Sequence, residues 1–224
     1  MFIVPWLRQL LLKWVHISVF VAGFLGGMLS INSVWASEAN IQTWVVVGDS
    51  ISAGYGIPAG QGWVDMLQTE LQREGRAVVI KNESISGDTT AGGLARLPGI
   101  IDRLQPQLVI IELGGNDGLR GLSPKAMEQN LKAMIDVCEQ RGVSVVVFGM
   151  KIPPNYGRKY AELFEQAFVN ATQAFEIPLM PFFLDGIGGY EALMQGDRVH
   201  PNVEAQTVLL KNALGFLSGL KLEM

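Results

Sequence analysis

The 224-residue sequence contains few of the residues that build disulfides and metal sites. Cys138 is its one cysteine, so no disulfide can form within the chain. Its two histidines are His16 and His200. No C-x-x-C or H-E-x-x-H pattern occurs, and so few nitrogen and sulfur ligands argue against a zinc site.

Basic side chains are also scarce. The chain has 17 lysines and arginines against 21 aspartates and glutamates, a formal net charge of −4 at pH 7. Proteins that bind nucleic acid neutralise phosphates with clustered basic residues, and no such cluster is present. A nucleic-acid partner is therefore not expected.

The N-terminus has the pattern of an export signal. Arg8 and Lys13 are the only charged residues before Glu38, and residues 17–31 form an uncharged apolar run. Small side chains at positions 34 and 36 fit a cleavage site after Ala36. We therefore expect residues 1–36 to be a signal peptide and the protein to be periplasmic or secreted.

An uncleaved membrane anchor within residues 14–31 is the alternative. The uncharged run is long enough for it, because a spanning helix needs about 20 residues. The cleavage pattern favours removal, which would also remove His16. His200 would then be the only histidine of a single mature domain, residues 37–224.

Apolar runs alternate with amphipathic ones through that domain. They predict strands at residues 44–48, 77–80, 108–113, 143–148 and 178–181, and helices at 63–73, 91–104, 124–141, 159–175 and 203–217. The strands are apolar throughout, which is typical of strands buried on both faces. This order predicts an α/β fold, a parallel sheet with helices on both sides, whose ligands bind beyond the carboxyl ends of the strands.

Polar segments follow three of the predicted strands, and a fourth precedes the last helix. In the mature chain any imidazole base must be His200, and Asp197 is placed to accept its other ring N–H. Ser50, at the mouth of the first strand, is the candidate nucleophile. Taken singly, these residues equally fit a solvated histidine and a helix or turn cap.

Acyl transfer also needs hydrogen-bond donors for the oxyanion. The backbone N–H groups of Ser50 and Gly87 and the side-chain amide of Asn116 lie on the same predicted edge. Gly87 and Asn116 are both common turn residues when read alone. Their placement on one edge with the candidate nucleophile favours an oxyanion hole.

These segments resemble the conserved blocks of a known family. GDS at 48–50, SISGDTT at 84–90, GGND at 114–117 and D-x-x-H at 197–200 are similar to the four blocks of the SGNH (GDSL) hydrolases. The resemblance covers nearly all of residues 37–224. ELGGNDGLRG at 112–121, PNYGRKY at 154–160 and PFF at 181–183 resemble the bacterial periplasmic thioesterase I, lysophospholipase and arylesterase subgroup.

The resemblance implies a flavodoxin-like three-layer α/β/α sandwich with a five-stranded parallel sheet. It implies that Ser50 is the nucleophile, His200 the base and Asp197 the residue that orients the base. Gly87 and Asn116 would bind the oxyanion, and no metal or organic cofactor would be needed.

The resemblance further implies a mobile flap at residues 118–123 over an acyl groove. Leu119 and Leu122 would contact the acyl group from the flap, with Ile152 and Pro153 across the groove. The expected activity is that of a serine ester hydrolase acting on acyl esters or thioesters, including substrates derived from membrane lipids. A monomer or weak oligomer is expected. Arg198-Val199 replaces the Gly-Ile common in the family, a change expected to affect only the rim.

Three other functions stay open at this point. One is a carbohydrate acetylesterase of the same fold and mechanism, which a comparison of acyl chains with acetylated xylan would distinguish. The second is a non-catalytic extracytoplasmic binding protein, although every catalytic side chain is present. The third is a flavin or nucleotide module, whose only signal is a glycine pattern at 54–59 that Pro58 interrupts.

Overall fold

The computed structural model describes residues 41–220, and the expected signal peptide at residues 1–36 lies outside them. Across residues 41–220, no helix combines the length and the apolar character that crossing a bilayer requires.

Five strands form one sheet in the order β2-β1-β3-β4-β5, and every pair is parallel. They are β1 Gln42–Gly48, β2 Val78–Asn82, β3 Leu108–Glu112, β4 Ser144–Phe148 and β5 Leu179–Met180. β3 is buried along its whole length and β1 from Trp44 onward, as expected for apolar strands covered on both faces. The five-stranded parallel sheet predicted from the sequence is confirmed.

Six α-helices accompany the sheet in residues 41–220. They are α1 Trp63–Arg73, α2 Thr90–Leu104, α3 Gly115–Leu119, α4 Pro124–Glu139, α5 Arg158–Gln173 and α6 Val203–Ser218. Helix α1 packs against α6, and α4 packs against both α2 and α5. From β1 to β2 the chain moves toward one edge of the sheet, and from β2 through β3 and β4 to β5 it moves toward the other edge. Because such crossovers are right-handed, α1 lies on the face of the sheet opposite α2, α4 and α5.

The direction of winding reverses at β1, so β1 and β3 flank the topological switch point. In open parallel sheets a crevice forms there, beyond the carboxyl ends of the strands. Gly48 and Glu112 are paired at those ends, and the loops that follow them carry the candidate site residues.

An apolar core holds these layers in place. On the α1 side, the ring of Phe183 lies 5.0 Å from Trp63 and 4.9 Å from Phe148, between centroids, and such pairs add about 0.5–1.5 kcal/mol each beyond their burial. Cys138 is buried in α4, and burial raises the pKa of its thiol to about 12. Its thiol therefore serves packing and not reaction.

Candidate active site

Ser50, His200 and Asp197 lie in one line of hydrogen bonds. The Ser50 Oγ atom is 2.9 Å from His200 Nε2, and His200 Nδ1 is 2.6 Å from Asp197 Oδ2. Ser50 and His200 are 150 residues apart in the sequence, so the fold is what joins them. A serine within hydrogen-bond reach of an imidazole that a carboxylate orients is the arrangement of an activated nucleophile.

A tight turn presents His200 to Ser50. Asp197 Oδ1 accepts hydrogen bonds from the backbone N–H groups of Val199 and His200 at 2.9 and 3.0 Å. Arg198, which follows Asp197 in this turn, has φ +59°, a left-handed conformation in which glycine is usual. Asn202 then caps α6 by accepting from the N–H of Ala205, which fixes where the loop ends.

The hydrogen bonds to Asp197 also set its charge. Hydrogen bonds lower the pKa of Asp197 to about 2. The largest effect comes from the backbone N–H of His200, followed by the His200 ring and the backbone N–H of Val199. Asp197 is therefore ionised at any pH at which an imidazole can act as a base. The Asp197 carboxylate beside Nδ1 favours the tautomer with its proton on Nδ1, which leaves Nε2 free to accept the Ser50 proton.

Tyr55 contacts the imidazole directly, and Gln195 restrains the loops on either side of it. The Tyr55 ring lies against the His200 ring, with centroids 4.6 Å apart and planes inclined by 41°. Gln195 Nε2 donates to the carbonyls of Tyr55 and Pro201 at 2.8 and 3.0 Å. One amide thus ties the loop after Ser50 to the loop that carries His200.

Ser50 sits at the first turn beyond β1 and is 9% exposed. The N–H of Ala53 donates to the Asp49 carbonyl and that of Tyr55 to the Ser50 carbonyl, so the chain turns sharply around the serine. A Cβ at Gly48 would lie 2.7 Å from the Ser52 Cβ, so a larger residue there would displace the loop.

Asn116 approaches the serine from α3. Its Nδ2 atom donates to Asp49 Oδ2 at 3.0 Å, so the residue before Ser50 orients the candidate oxyanion amide. Helix α3 begins after Gly114, whose φ of +119° strongly favours glycine. Any Cβ at Gly114 would also lie 2.7 Å from Phe168 Cζ.

Gly87 is close to this loop but is not among the residues that line the cavity at Ser50. Its φ is +81°, and the N–H of Ile85 donates to the Gly48 carbonyl at 3.0 Å, which ties the 84–90 loop to the nucleophile loop. The Arg120 guanidinium donates to the Gly87 carbonyl at 2.6 Å. The 84–90 loop is therefore held at two points, Ile85 and Gly87.

Asp117 fixes the position of that loop relative to α3. Its buried carboxylate accepts from the backbone N–H of Thr90 at 2.9 Å and from the Thr90 hydroxyl at 2.6 Å. Asn130 of α4 donates to the same hydroxyl. The two segments that carry Gly87 and Asn116 are thus joined through buried hydrogen bonds.

A cavity of about 440 Å³ opens beside the serine, and most of its wall is apolar. It is lined by Asp49, Ser50, Ile51, Gly115, Asn116, Leu119, Met150, Lys151, Ile152, Pro153, Phe182, Leu184, Gly188, Gly189, Met194, Arg198, Val199 and His200. A concave, mainly apolar pocket with a few polar groups at one end is typical of a small-molecule site.

Three of the four predicted groove residues, Leu119, Ile152 and Pro153, line this cavity. Leu122 does not, and its side chain is 44% exposed. The chain turns away after α3, and the backbone carbonyl of Leu122 accepts from the hydroxyl of Tyr160. A contact between Leu122 and the acyl group stays a prediction.

Hydrogen bonds anchor the segment predicted to be a flap. Tyr156 donates to the Leu119 carbonyl at 3.0 Å, and Tyr160 donates to the Leu122 carbonyl at 2.7 Å. The two tyrosine rings stack, with centroids 6.4 Å apart. Opening of residues 118–123 would have to break these two bonds.

Two buried acids near Ser50 were not predicted as site residues. Burial raises the pKa of Asp49 to about 6, although hydrogen bonds from Ile51 and Asn116 and the charge of His200 oppose the increase. Burial raises the pKa of Glu112 well above its ordinary value, with the charge of Asp49 adding to the effect. A glutamate inside the apolar run 108–113 was the available sequence signal.

Among residues 41–220, no group of three or more potential ligand side chains is placed to hold a metal ion.

Comparison with known proteins gives consistent matches. The model of the GDSL-like Lipase/Acylhydrolase family matches residues 46–208. Esterase TesA of Pseudomonas aeruginosa is 48% identical over 175 residues, which cover 78% of this chain and 87% of TesA. Thioesterase 1/protease 1/lysophospholipase L1 of Escherichia coli K12 is 39% identical over 168 residues, or 75% of this chain and 79% of that enzyme.

The fold matches a solved esterase equally well. The structure of the psychrotrophic esterase EstA from Pseudoalteromonas sp., inhibited by monoethylphosphonate, superposes with a TM-score of 0.76. The two chains are 37% identical, and the match covers 79% of this chain and 97% of EstA.

Proposed function

This chain belongs to the GDSL-like lipase/acylhydrolase family, and we propose that it hydrolyses acyl esters and thioesters with Ser50 as the nucleophile. It is a serine ester hydrolase, as its family and its esterase and thioesterase relatives indicate. The observation that supports Ser50 is its 2.9 Å contact with an imidazole that is itself paired with Asp197.

In the first step His200 Nε2 takes the hydroxyl proton as Ser50 Oγ attacks the acyl carbonyl. The imidazolium that forms is stabilised by the Asp197 carboxylate and then protonates the leaving alcohol or thiol. In the second step His200 removes a proton from water, which attacks the acyl-serine, and the acid leaves as Ser50 regains its proton.

The negative charge on the carbonyl oxygen needs donors during both steps. We assign this role to the Asn116 amide and to the backbone N–H groups of Ser50 and Gly87. The Asn116 amide lines the cavity and is fixed by Asp49, so it needs little reorganisation during the reaction. Donors that are oriented beforehand are the most effective ones, and removal of one typically lowers kcat about 10²–10³-fold.

The apolar cavity favours an acyl chain over a sugar as the bound group. Leu119, Ile152 and Phe182 line it, and its volume exceeds the needs of an acetyl group. We propose acyl esters and thioesters with chains of several carbons as substrates, including those released from membrane lipids. The relevant comparison is of p-nitrophenyl acetate, octanoate and palmitate with acetylated xylan.

We further propose that the protein is exported and cleaved after Ala36. The support is the sequence pattern of residues 1–36. Intact-mass measurement of the protein recovered from its native compartment tests this directly. A mass that includes Met1 would contradict cleavage.

The test of the nucleophile is the Ser50→Ala variant. It removes only the Oγ atom, so the circular dichroism spectrum and Tm should stay close to those of the unsubstituted protein while hydrolysis of p-nitrophenyl octanoate is lost. An organophosphonate should label the unsubstituted protein at Ser50 and leave the variant unlabelled, as peptide mass mapping would show. Retained turnover by a folded variant would contradict the assignment.

A further inference from the structure

Beneath the nucleophile loop, two acidic side chains occupy the interior of the protein. Glu112 ends β3 and is fully buried, whereas Asp49 follows β1 and is 2% exposed. The Ser52 hydroxyl donates to Glu112 Oε2 at 2.5 Å. A Cβ at Gly48 would lie 2.8 Å from that same oxygen, so the carboxyl fills the space that a side chain at position 48 would need.

Asp49 and Glu112 differ in the hydrogen bonds that surround them. Both oxygens of Asp49 accept, Oδ1 from the N–H of Ile51 and Oδ2 from the amide of Asn116, each at 3.0 Å. Glu112 Oε2 accepts from the Ser52 hydroxyl, and the backbone N–H groups of Asp49 and Ser52 also act to lower the pKa of Glu112. Burial outweighs these hydrogen bonds and raises the pKa, and the buried Oε1 atom has no hydrogen-bond partner among the described residues, which a neutral carboxyl tolerates better than a carboxylate. The surroundings therefore suit an ionised Asp49 and a neutral Glu112.

No cation compensates these two acids directly. In the part of the chain from 41 to 220, no salt bridge includes Asp49 or Glu112. The charged or titratable groups that face Asp49 from other elements are His200, Asp88 and Glu112 itself. The nearby Arg96 is bound to Asp88. Two uncompensated negative charges at such close range inside a protein are strongly unfavourable, so one of the acids keeps its proton.

We propose that Asp49 and Glu112 are a pair of positioning residues that share one negative charge at neutral pH, with Asp49 ionised and Glu112 protonated. This inference rests on the proposed function. The Asp49 carboxylate orients the Asn116 amide toward the substrate oxygen. Neutral Glu112 holds the loop of residues 48–52 through Ser52 without adding a second charge below the nucleophile. Neither acid touches the substrate carbonyl or moves a proton in the reaction.

Substitution of Glu112 separates its shape from its charge. Glu112→Gln keeps an acceptor for Ser52 and is neutral, so kcat for p-nitrophenyl octanoate should stay within about threefold of the unsubstituted enzyme. Glu112→Ala removes the acceptor and leaves a void, so the loop shifts and kcat should fall about 10²-fold. Equal losses in the Gln and Ala variants would overturn the proposal, because they would mean that the ionised carboxylate is required.

Substitution of Asp49 tests the other half of the pair. In Asp49→Asn one acceptor oxygen becomes an N–H donor, which then faces either the N–H of Ile51 or the amide of Asn116. We expect kcat to fall about 10²-fold with little change in KM, as for loss of an oxyanion donor. Asp49→Asn combined with Asn116→Ala should be no slower than Asn116→Ala alone. Independent, multiplying effects would contradict the positioning role.

Infrared spectroscopy tests the protonation of Glu112 without reference to activity. At pH 8 the folded protein should show the C=O absorption of a protonated carboxyl, and this band should be absent from Glu112→Gln. Glu139→Gln, an exposed change at the opposite end of the sheet, serves as the matched control and should keep the band. A spectrum without the band in the unsubstituted protein would refute a neutral Glu112.

These results are separable from the proposed function. If Ser50→Ala retains turnover, or the unsubstituted protein hydrolyses no ester, the proposed function fails while the infrared measurement still reports on the acid pair. If Ser50→Ala is inactive but the Gln and Ala variants of Glu112 are equally impaired, only the inference about the pair fails.

Discussion

The ring of Tyr55 packs on the imidazole of His200, 4.6 Å away between centroids, and the same residue's carbonyl is bound by Gln195. Tyr55 is more than half exposed, so its contribution to the stability of the core is small. Its position relative to His200 instead limits where the imidazole can move. The contact joins the loop after the nucleophile to the loop that carries the base.

Tyr55→Ala should therefore impair catalysis more than stability. Loss of the ring lets the imidazole leave its position beside Ser50, and we expect kcat/KM for p-nitrophenyl acetate to fall about tenfold. Tyr55→Phe keeps the ring and should retain activity. Tyr190→Ala removes a similarly exposed tyrosine that has no ring contact with His200 and is the control. An unaffected kcat/KM in Tyr55→Ala would show that the ring does not restrain the base.

A second prediction concerns the glycine that starts α3. Gly114→Ala forces a Cβ to within 2.7 Å of Phe168 at a φ of +119°, and we expect it to cost about 3 kcal/mol in the free energy of unfolding. Because Asn116 lies two residues away, kcat should fall as well. Urea denaturation and the p-nitrophenyl octanoate assay measure the two effects.

Gly121→Ala is the matched control for that variant. Its φ is also positive, at +64°, but a Cβ there meets no atom within 4 Å. It should cost only about 1 kcal/mol, from backbone conformation alone. Equal losses in the two variants would show that the contact with Phe168 is not what restricts position 114.

Much of this fold was predictable because the strands are continuously apolar and the larger helices are amphipathic. Predicted helix 63–73 coincides with α1, whereas predicted strand 77–80 is shifted relative to β2, which runs on through Lys81 and Asn82. β2 lies at the edge of the sheet, where polar residues can face solvent and interrupt the apolar pattern without ending the strand.

Helix α3 escaped prediction for a different reason. Its sequence GNDGL has two glycines in five residues and no apolar period, so local propensity argues against a helix. Tertiary hydrogen bonds form it, above all those between Asp117 and Thr90, 27 residues apart. The candidate catalytic residues were predictable because acyl transfer demands particular side chains. The roles of Asp49 and Gln195 were not, since they depend on distances between distant segments.

A third prediction follows from the raised pKa of Asp49, about 6 in the folded protein against an ordinary value of 3.8. The folded state binds this proton more tightly than the unfolded chain, so the contribution of Asp49 to stability decreases as pH rises from about 4 to 6. The free energy of unfolding of the unsubstituted protein minus that of Asp49→Asn should fall across this range. Asp197, with its lowered pKa, acts in the opposite sense but only below pH 4 and equally in both proteins. A difference that rises with pH would contradict the burial of Asp49.

A fourth prediction concerns the turn between Asp197 and His200. Arg198 adopts a left-handed φ of +59°, and its ion pair with Glu191 is highly exposed on both sides and so adds little. Arg198→Gly should raise the free energy of unfolding by about 0.5 kcal/mol, since relief of backbone strain exceeds the entropy that glycine adds to the unfolded chain. Arg198→Ala keeps the strain and should not stabilise. Equal stabilities of the Gly and Ala variants would show that the backbone at 198 is unstrained.

The last prediction uses the different positions of Leu119 and Leu122. Leu119 lines the apolar cavity, whereas Leu122, three residues later, is exposed and lies off its wall. Leu119→Trp should fill part of the space for the acyl chain and lower the ratio of kcat/KM for octanoate to that for acetate about tenfold, in keeping with the modest free energy of a few methylene contacts. Leu122→Trp adds the same bulk outside the cavity and should leave the ratio unchanged. Should both variants change the ratio alike, the acyl chain would lie over residues 119–122 and not in the cavity beneath them.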